Sequence, residues 1–135
     1  MSAANTRAAL ATISARGKLV TVINVFTVEP TNQQQLLHLL ARATQSSVRH
    51  APGFISASLH RSLDGTKVTM YAQWRTVADY QAMRENPALM PYLQQALAIA
   101  KFDPGMYEVV AIFSGAGRST KSMLLHRTML TGASK

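Results

Sequence analysis

Phe54–Arg75 reads FISASLHRSLDGTKVTMYAQWR. Its two halves are rich in β-branched and aromatic residues and flank Asp64-Gly65, a pair suited to a turn because Gly accepts positive φ. The segment predicts a β-hairpin, with strands over 54–63 and 68–75. Alternation along the second strand puts Met70, Ala72 and Trp74 on one face.

Working outward, Lys18–Val28 (KLVTVINVFTV) has the Val, Ile and Thr content of another strand. Its alternation sends Val22, Asn24 and Phe26 one way and Thr21, Ile23 and Val25 the other. Between this strand and the hairpin, Leu36, Leu40 and Ala43 recur at helical spacing, predicting a helix from Gln33 to about Ala51. Pro30, with Thr31 or Asn32 as cap, opens that helix; Pro52-Gly53 closes it.

Beyond the hairpin, Thr76 caps a helix running to about Glu85, Asn86-Pro87 interrupts it, and a second helical piece spans about 88–101. Asp103-Pro104-Gly105 reads as a turn before a fourth strand, Met106–Phe113. The order is β-α-β-β-α-β. That is the ferredoxin-like α+β plan, a four-stranded antiparallel sheet with helices on one face. The first strand is apolar at both parities, so the uncovered face needs a second cover. A homodimer in which two such sheets pair meets that need.

The chain has 135 residues and is 47% apolar, enough for one domain with a core. Its net charge is +8, but six of those charges lie in residues 1–17 and 115–135, which contain no acids. The middle, 18–114, is close to balanced. Nucleic-acid domains carry their basic stripe on folded elements, so this distribution argues against nucleic acid as a partner. The expected organisation is a flexible segment over 1–17, a folded domain over 18–114 and a basic tail over 115–135. The leader, rich in Ala, Ser, Thr and Arg, has some features of a transit peptide; an unstructured N-terminus is the favoured reading. Cysteine is absent, which excludes disulfides and thiolate metal sites and permits a cytoplasmic location. No apolar run approaches the ~20 residues of a membrane span.

Tyr71-Ala72-Gln73-Trp74, with Tyr80 six residues after the only tryptophan, carries the chemical interest. Indole N–H and phenol O–H together orient a flat, oxygenated aromatic ligand. This stretch, with Pro52-Gly53-Phe54 and Ser62-Leu63-Asp64-Gly65-Thr66, resembles the antibiotic biosynthesis monooxygenase family, and the likeness covers roughly residues 19–113. It implies a dimeric α+β barrel, and oxidation of aromatic polyketides by dioxygen as co-substrate with no cofactor. In the branch similar to the anthrone monooxygenases, an Asn, a Trp and a Tyr line the substrate cavity. Trp74 and Tyr80 match; the place of the Asn is Met70, a thioether that cannot make an amide's hydrogen bonds.

Asn24 is a polar residue in an apolar strand, and a buried amide is costly without partners. It either supplies the missing amide to the Trp74 cavity or bonds a neighbouring backbone or the dimer interface. The related haem-degrading enzymes also carry an Asn on the first strand. They further need an axial His and a second Trp, which the stretch 83–93 lacks. Glycine-rich dinucleotide motifs, phosphate loops and local metal-ligand spacing are absent too.

The expected catalytic residues are therefore Trp74, Tyr80 and Asn24. Met70, Phe26 and Leu93 are the expected apolar walls, and His60 is the one histidine considered for the pocket. The expected activity is cofactor-independent monooxygenation of an electron-rich phenolic, anthrone-like or quinol substrate. The alternatives are a non-oxidative polyketide cyclase or isomerase, and a non-catalytic dimer that binds a small aromatic.

Overall fold

The computed structural model describes residues 9–117; the outer parts of both expected terminal segments, including His126, lie outside the described residues. One antiparallel sheet contains β1 (Val20–Val28), β2 (Phe54–Arg61), β3 (Lys67–Trp74), β4 (Ala100–Asp103) and β5 (Met106–Tyr107). The strand order is β2-β3-β1-β4, and β5 also pairs with β1. Helices α1 (Gln33–Ser46), α2 (Val77–Arg84) and α3 (Met90–Ile99) complete the α+β arrangement, with α1 packed on α3.

The hairpin forms around Gly65 at φ 84°, but its loop is longer than a two-residue turn. Arg61 pairs with Val68, and the residues between them are held by side chains. Ser62 Oγ donates to the Asp64 carboxylate at 2.8 Å and accepts from the Lys67 N–H at 2.8 Å. The Thr66 hydroxyl donates to the same carboxylate at 2.7 Å. That bonding holds the Asp64 carboxyl at about 2, against an ordinary 3.8.

Helix α1 stops before Ala51, and Val48–His50 continues as a 3₁₀ turn. Thr44 Oγ1 donates to the Leu40 carbonyl at 2.8 Å and Ser46 Oγ to the Arg42 carbonyl at 2.7 Å, back-bonds that weaken a helix end. The fourth strand also differs from expectation. Pairing with β1 starts at Ala100, where the sequence reads as helix, and β5 ends at Tyr107. Pro104 lacks an N–H to donate, so the strand breaks at Pro104-Gly105, and the Gly105 carbonyl accepts from the Ile23 N–H at 2.9 Å. Residues 108–113 join no strand among the described residues.

Two buried clusters lie between sheet and helices. One gathers Val22, Ala72, Trp74, Tyr80, Met83 and Leu89; the other gathers Phe26, Leu36, Leu40, Val68 and Ala96. Met70 packs against both, at the seam between them. Leu36 is fully buried, and its truncation to Ala costs about 2–5 kcal/mol.

Candidate active site

The junction between β3 and α2 sets the site. Thr76 Oγ1 accepts from the Asp79 N–H at 3.0 Å, which caps α2 immediately after the strand that carries Trp74. The Arg75 N–H donates to the Gly53 carbonyl at 2.8 Å, tying the junction to the start of β2. Gly53 has φ 83°, and a Cβ there would run into the Asp79 side chain, so the close approach requires glycine. With the strand end and helix start fixed, Trp74 and Tyr80 face each other, ring centroids 5.8 Å apart at 60°. Phe54 meets the other side of the indole edge-on, 5.4 Å away at 81°. Trp74 is 1% exposed and Tyr80 4%.

Trp74 and Tyr80 border an apolar cavity of about 80 Å³ beneath the helices. Asn24, Met70, Trp74 and Tyr80 all line it, as do Phe26 and Leu93. The strand alternation that puts Asn24 level with Val22 and Phe26 is what directs it inward. Its Nδ2 donates a long hydrogen bond to Tyr80 Oη at 3.4 Å, and its Oδ1 is buried with no donor among the described residues.

His60 stands apart. It is exposed on β2, where its Nε2 shares a 2.8 Å hydrogen bond with Ser58 Oγ, and it does not line this cavity. It lies on the other face of the sheet: its ladder partner is Thr69, which alternates with the inward-facing Met70.

The sequence reading also missed a charged lining residue. Arg84, at the end of α2, contributes the cavity's one charged side chain among the described residues. Its Nη1 donates to Tyr80 Oη at 3.5 Å, and its guanidinium carbon lies 5.2 Å from the centroid of the Phe102 ring. The signal was its spacing, four residues after Tyr80 and so on the same helical face. Tyr80 Oη thus accepts from two neighbours, which leaves its own O–H to donate elsewhere.

Chemically, the arrangement is an apolar, aromatic-lined slot in which an amide and a guanidinium meet at one phenol oxygen. Among the described residues no three His, Cys, Asp or Glu side chains gather as metal donors, and no helix is long and apolar enough to cross a membrane.

Comparison with known proteins agrees with this fold. The family model described as antibiotic biosynthesis monooxygenase matches residues 19–92, more than half of the chain. The chain belongs to the antibiotic biosynthesis monooxygenase family.

A relative, the tetracenomycin-F1 monooxygenase of Streptomyces glaucescens, is 41% identical over 104 residues, which is 77% of this chain and 93% of the relative. Among solved structures, SnoaB of Streptomyces nogalater, described as a cofactor-independent oxygenase, is similar with a TM-score of 0.57 and 21% identity, covering 74% of this chain and 98% of that one. Rv0793 of Mycobacterium tuberculosis is similar with a TM-score of 0.60 and 22% identity, covering 74% of this chain and all of that one. Asn24, Met70, Trp74, Tyr80 and Arg84 fall inside the antibiotic biosynthesis monooxygenase match, whereas Leu93 and Phe102 lie just beyond it.

Proposed function

We propose that this protein is a cofactor-independent monooxygenase that oxidises an electron-rich phenolic, anthrone-like or quinol substrate of an aromatic polyketide pathway. The observation that carries the reading is the convergence of Trp74, Tyr80 and Asn24 on one apolar cavity. The relative named as a tetracenomycin-F1 monooxygenase supports the reaction class.

For an anthrone, the chemistry balances without a cofactor. The ring methylene loses a proton to give a delocalised anion, which passes one electron to dioxygen. The substrate radical and superoxide combine to a carbon-bound peroxide. Protonation of that peroxide and loss of the second methylene proton break the O–O bond, leaving a carbonyl and water.

The chain's part is to hold the ring plane, exclude water and donate hydrogen bonds to oxygen atoms that become negative. Tyr80 is suited to the donor role, since Asn24 and Arg84 both point donors at its oxygen. Trp74 and Phe26 fix the ring plane, and Met70 and Leu93 form apolar walls. None of these side chains is a strong base, so the substrate's own acidity carries the first deprotonation.

The working form on this reading is a cytoplasmic homodimer, with residues 18–114 as the catalytic domain. Two observations support the second copy: Ile23 and Val25 on the sheet face away from the helices, and exposed apolar residues after β5. Val110 is 84% exposed and Phe113 89%.

The deciding experiment is dissolved-oxygen uptake by purified, metal-stripped protein with anthrones and hydroquinones, Trp74→Phe serving as control. Protein-dependent uptake that falls in the variant supports the reading. Quenching of Trp74 fluorescence without uptake refutes it.

A further inference from the structure

Two methionines line the cavity, Met70 on β3 and Met83 on α2. A thioether is soft and polarisable, and a peroxide converts it to a sulfoxide, turning an apolar side chain polar. The carbon-bound peroxide of the proposed reaction forms in this same cavity.

Met70 is the better placed of the two. It stands opposite Asn24 in the ladder between β1 and β3, a pairing that sets Cβ atoms about 4.5–5.5 Å apart. Asn24 in turn donates to Tyr80 Oη, so the Met70 thioether lies beside the groups suited to holding a reacting oxygen. Met83 is packed into the Trp74 cluster and is 8% exposed. Exposure alone favours other sulfurs altogether: Met90 is 41% exposed and Met106 49%.

We propose that Met70 is a turnover-dependent oxidation site, whose thioether intercepts a fraction of the substrate hydroperoxide and thereby ends the activity of that chain. This rests on the monooxygenase reading of the same cavity. The sulfur attacks the outer peroxide oxygen, and the S–O bond forms as the O–O bond breaks. The inner oxygen keeps the bonding electron pair and takes up the hydroperoxide proton. The substrate leaves as an alcohol in place of a carbonyl and water, and Met70 is oxidised by two electrons to the sulfoxide.

The product is badly suited to its surroundings. A polar sulfoxide then stands at the seam of the two buried clusters. Its oxygen competes with Tyr80 for the Asn24 N–H, whose present bond is long at 3.4 Å. Each event narrows the cavity and takes a donor from Tyr80.

The test follows the full chain turning over anthrone under heavy-isotope dioxygen, with catalase and superoxide dismutase removing free oxidants. Oxygen uptake is recorded, and peptide mass spectrometry reads the oxidation of each methionine after successive turnovers. Met70 is expected to gain one heavy oxygen in step with the loss of activity. It should exceed Met90 and Met106 at least about tenfold, against the order that exposure dictates. Hydrogen peroxide given without anthrone or catalase should restore the exposure order. Met70→Leu, which keeps the volume and removes the sulfur, should complete several times more turnovers per chain before uptake stops, whatever its initial rate.

Uptake that leaves Met70 intact overturns the proposal and leaves the monooxygenase reading standing. So does preferential oxidation of Met83, of the exposed methionines, or of Met70 by peroxide alone. An unchanged number of turnovers in Met70→Leu overturns the link to inactivation. Absence of oxygen uptake overturns the monooxygenase reading, and this proposal falls with it.

Discussion

Asn24 and Met70 stand directly opposite each other in the ladder between β1 and β3, and both line the Trp74 cavity. Residues paired this way have Cβ atoms about 4.5–5.5 Å apart. An amide on β1 therefore serves nearly the same volume as one at the Met70 position, where the similar anthrone-oxidising branch carries its Asn. The polar group has an alternative seat one strand over.

That relationship predicts a swap. Asn24→Val should lower kcat/KM for an anthrone at least tenfold, since the cavity loses its amide. Adding Met70→Asn to that variant should return a substantial part of the loss. A double variant as inactive as Asn24→Val, with its fold intact by circular dichroism, would remove the amide from the mechanism.

Tyr80→Phe deletes one oxygen and leaves the packing against Trp74 in place. Removal of a positioned donor to a developing oxyanion costs about 10²–10³ in rate. The loss should appear in kcat more than in KM, with stability changed by about 1 kcal/mol. Asn24→Ala combined with Tyr80→Phe should be less damaging than the two losses summed, because both act through one hydrogen bond. Single-turnover oxygen uptake on the four proteins checks this, and strict additivity would contradict it.

Much of this site was legible in local pattern. Alternation grouped Asn24 with Phe26 on one face of the first strand and Met70 with Trp74 on one face of the third, and Thr76 announced the helix that carries Tyr80; that Asn24 faces the Trp74 cavity came from the structure. The fourth strand was not legible, because Ala100–Phe102 continues an apolar helical run. Only the partners that Val25–Val28 offer across the sheet pull it into extended form. Arg84 was hidden for a different reason. A charge at a helix end reads as surface until Phe102, from a distant strand, closes over it. For His60 the expectation rested on residue type, and type says nothing about which sheet face a strand presents.

Trp74 is also a stability residue. At 1% exposure and wedged between Phe54 and Tyr80, its truncation to Ala should cost about 3–5 kcal/mol. Trp74→Phe keeps an aromatic ring and should cost clearly less. Urea unfolding followed by circular dichroism measures both, and equal costs would mean that the site collapses around either change.

The hairpin makes a pH prediction with a definite sign. The Asp64 carboxyl is held at about 2 by the Thr66 hydroxyl first, then by the Thr66 N–H and the Ser62 hydroxyl. A lowered folded-state value means that the contribution is complete above the ordinary 3.8 and is lost as pH falls through about 2. Because the group is fully exposed, water screens the effect and global stability should hardly change. Thr66→Val should move the Asp64 midpoint back toward 3.8, read by carboxyl chemical shifts. A midpoint unchanged by that variant would assign the shift to another cause.

The segment after β5 supplies the last prediction. Val110, Ile112 and Phe113 are 84%, 50% and 89% exposed, although their neighbours in sequence favour strands. Exposed apolar residues in a row, next to a sheet whose outer face carries Ile23 and Val25, are poorly matched to water. A second copy would cover both at once, and on that reading light scattering on the eluting protein should give twice the 14.7 kDa chain mass. Val110→Asp with Phe113→Asp should shift the protein to monomer while its circular dichroism stays the same, because neither side chain contributes to the core of the single chain. In an isolated chain those two charges would sit in water at no cost. Dissociation would therefore locate the interface on this segment; an unchanged dimer would move it elsewhere, and a wild-type monomer would dismiss it.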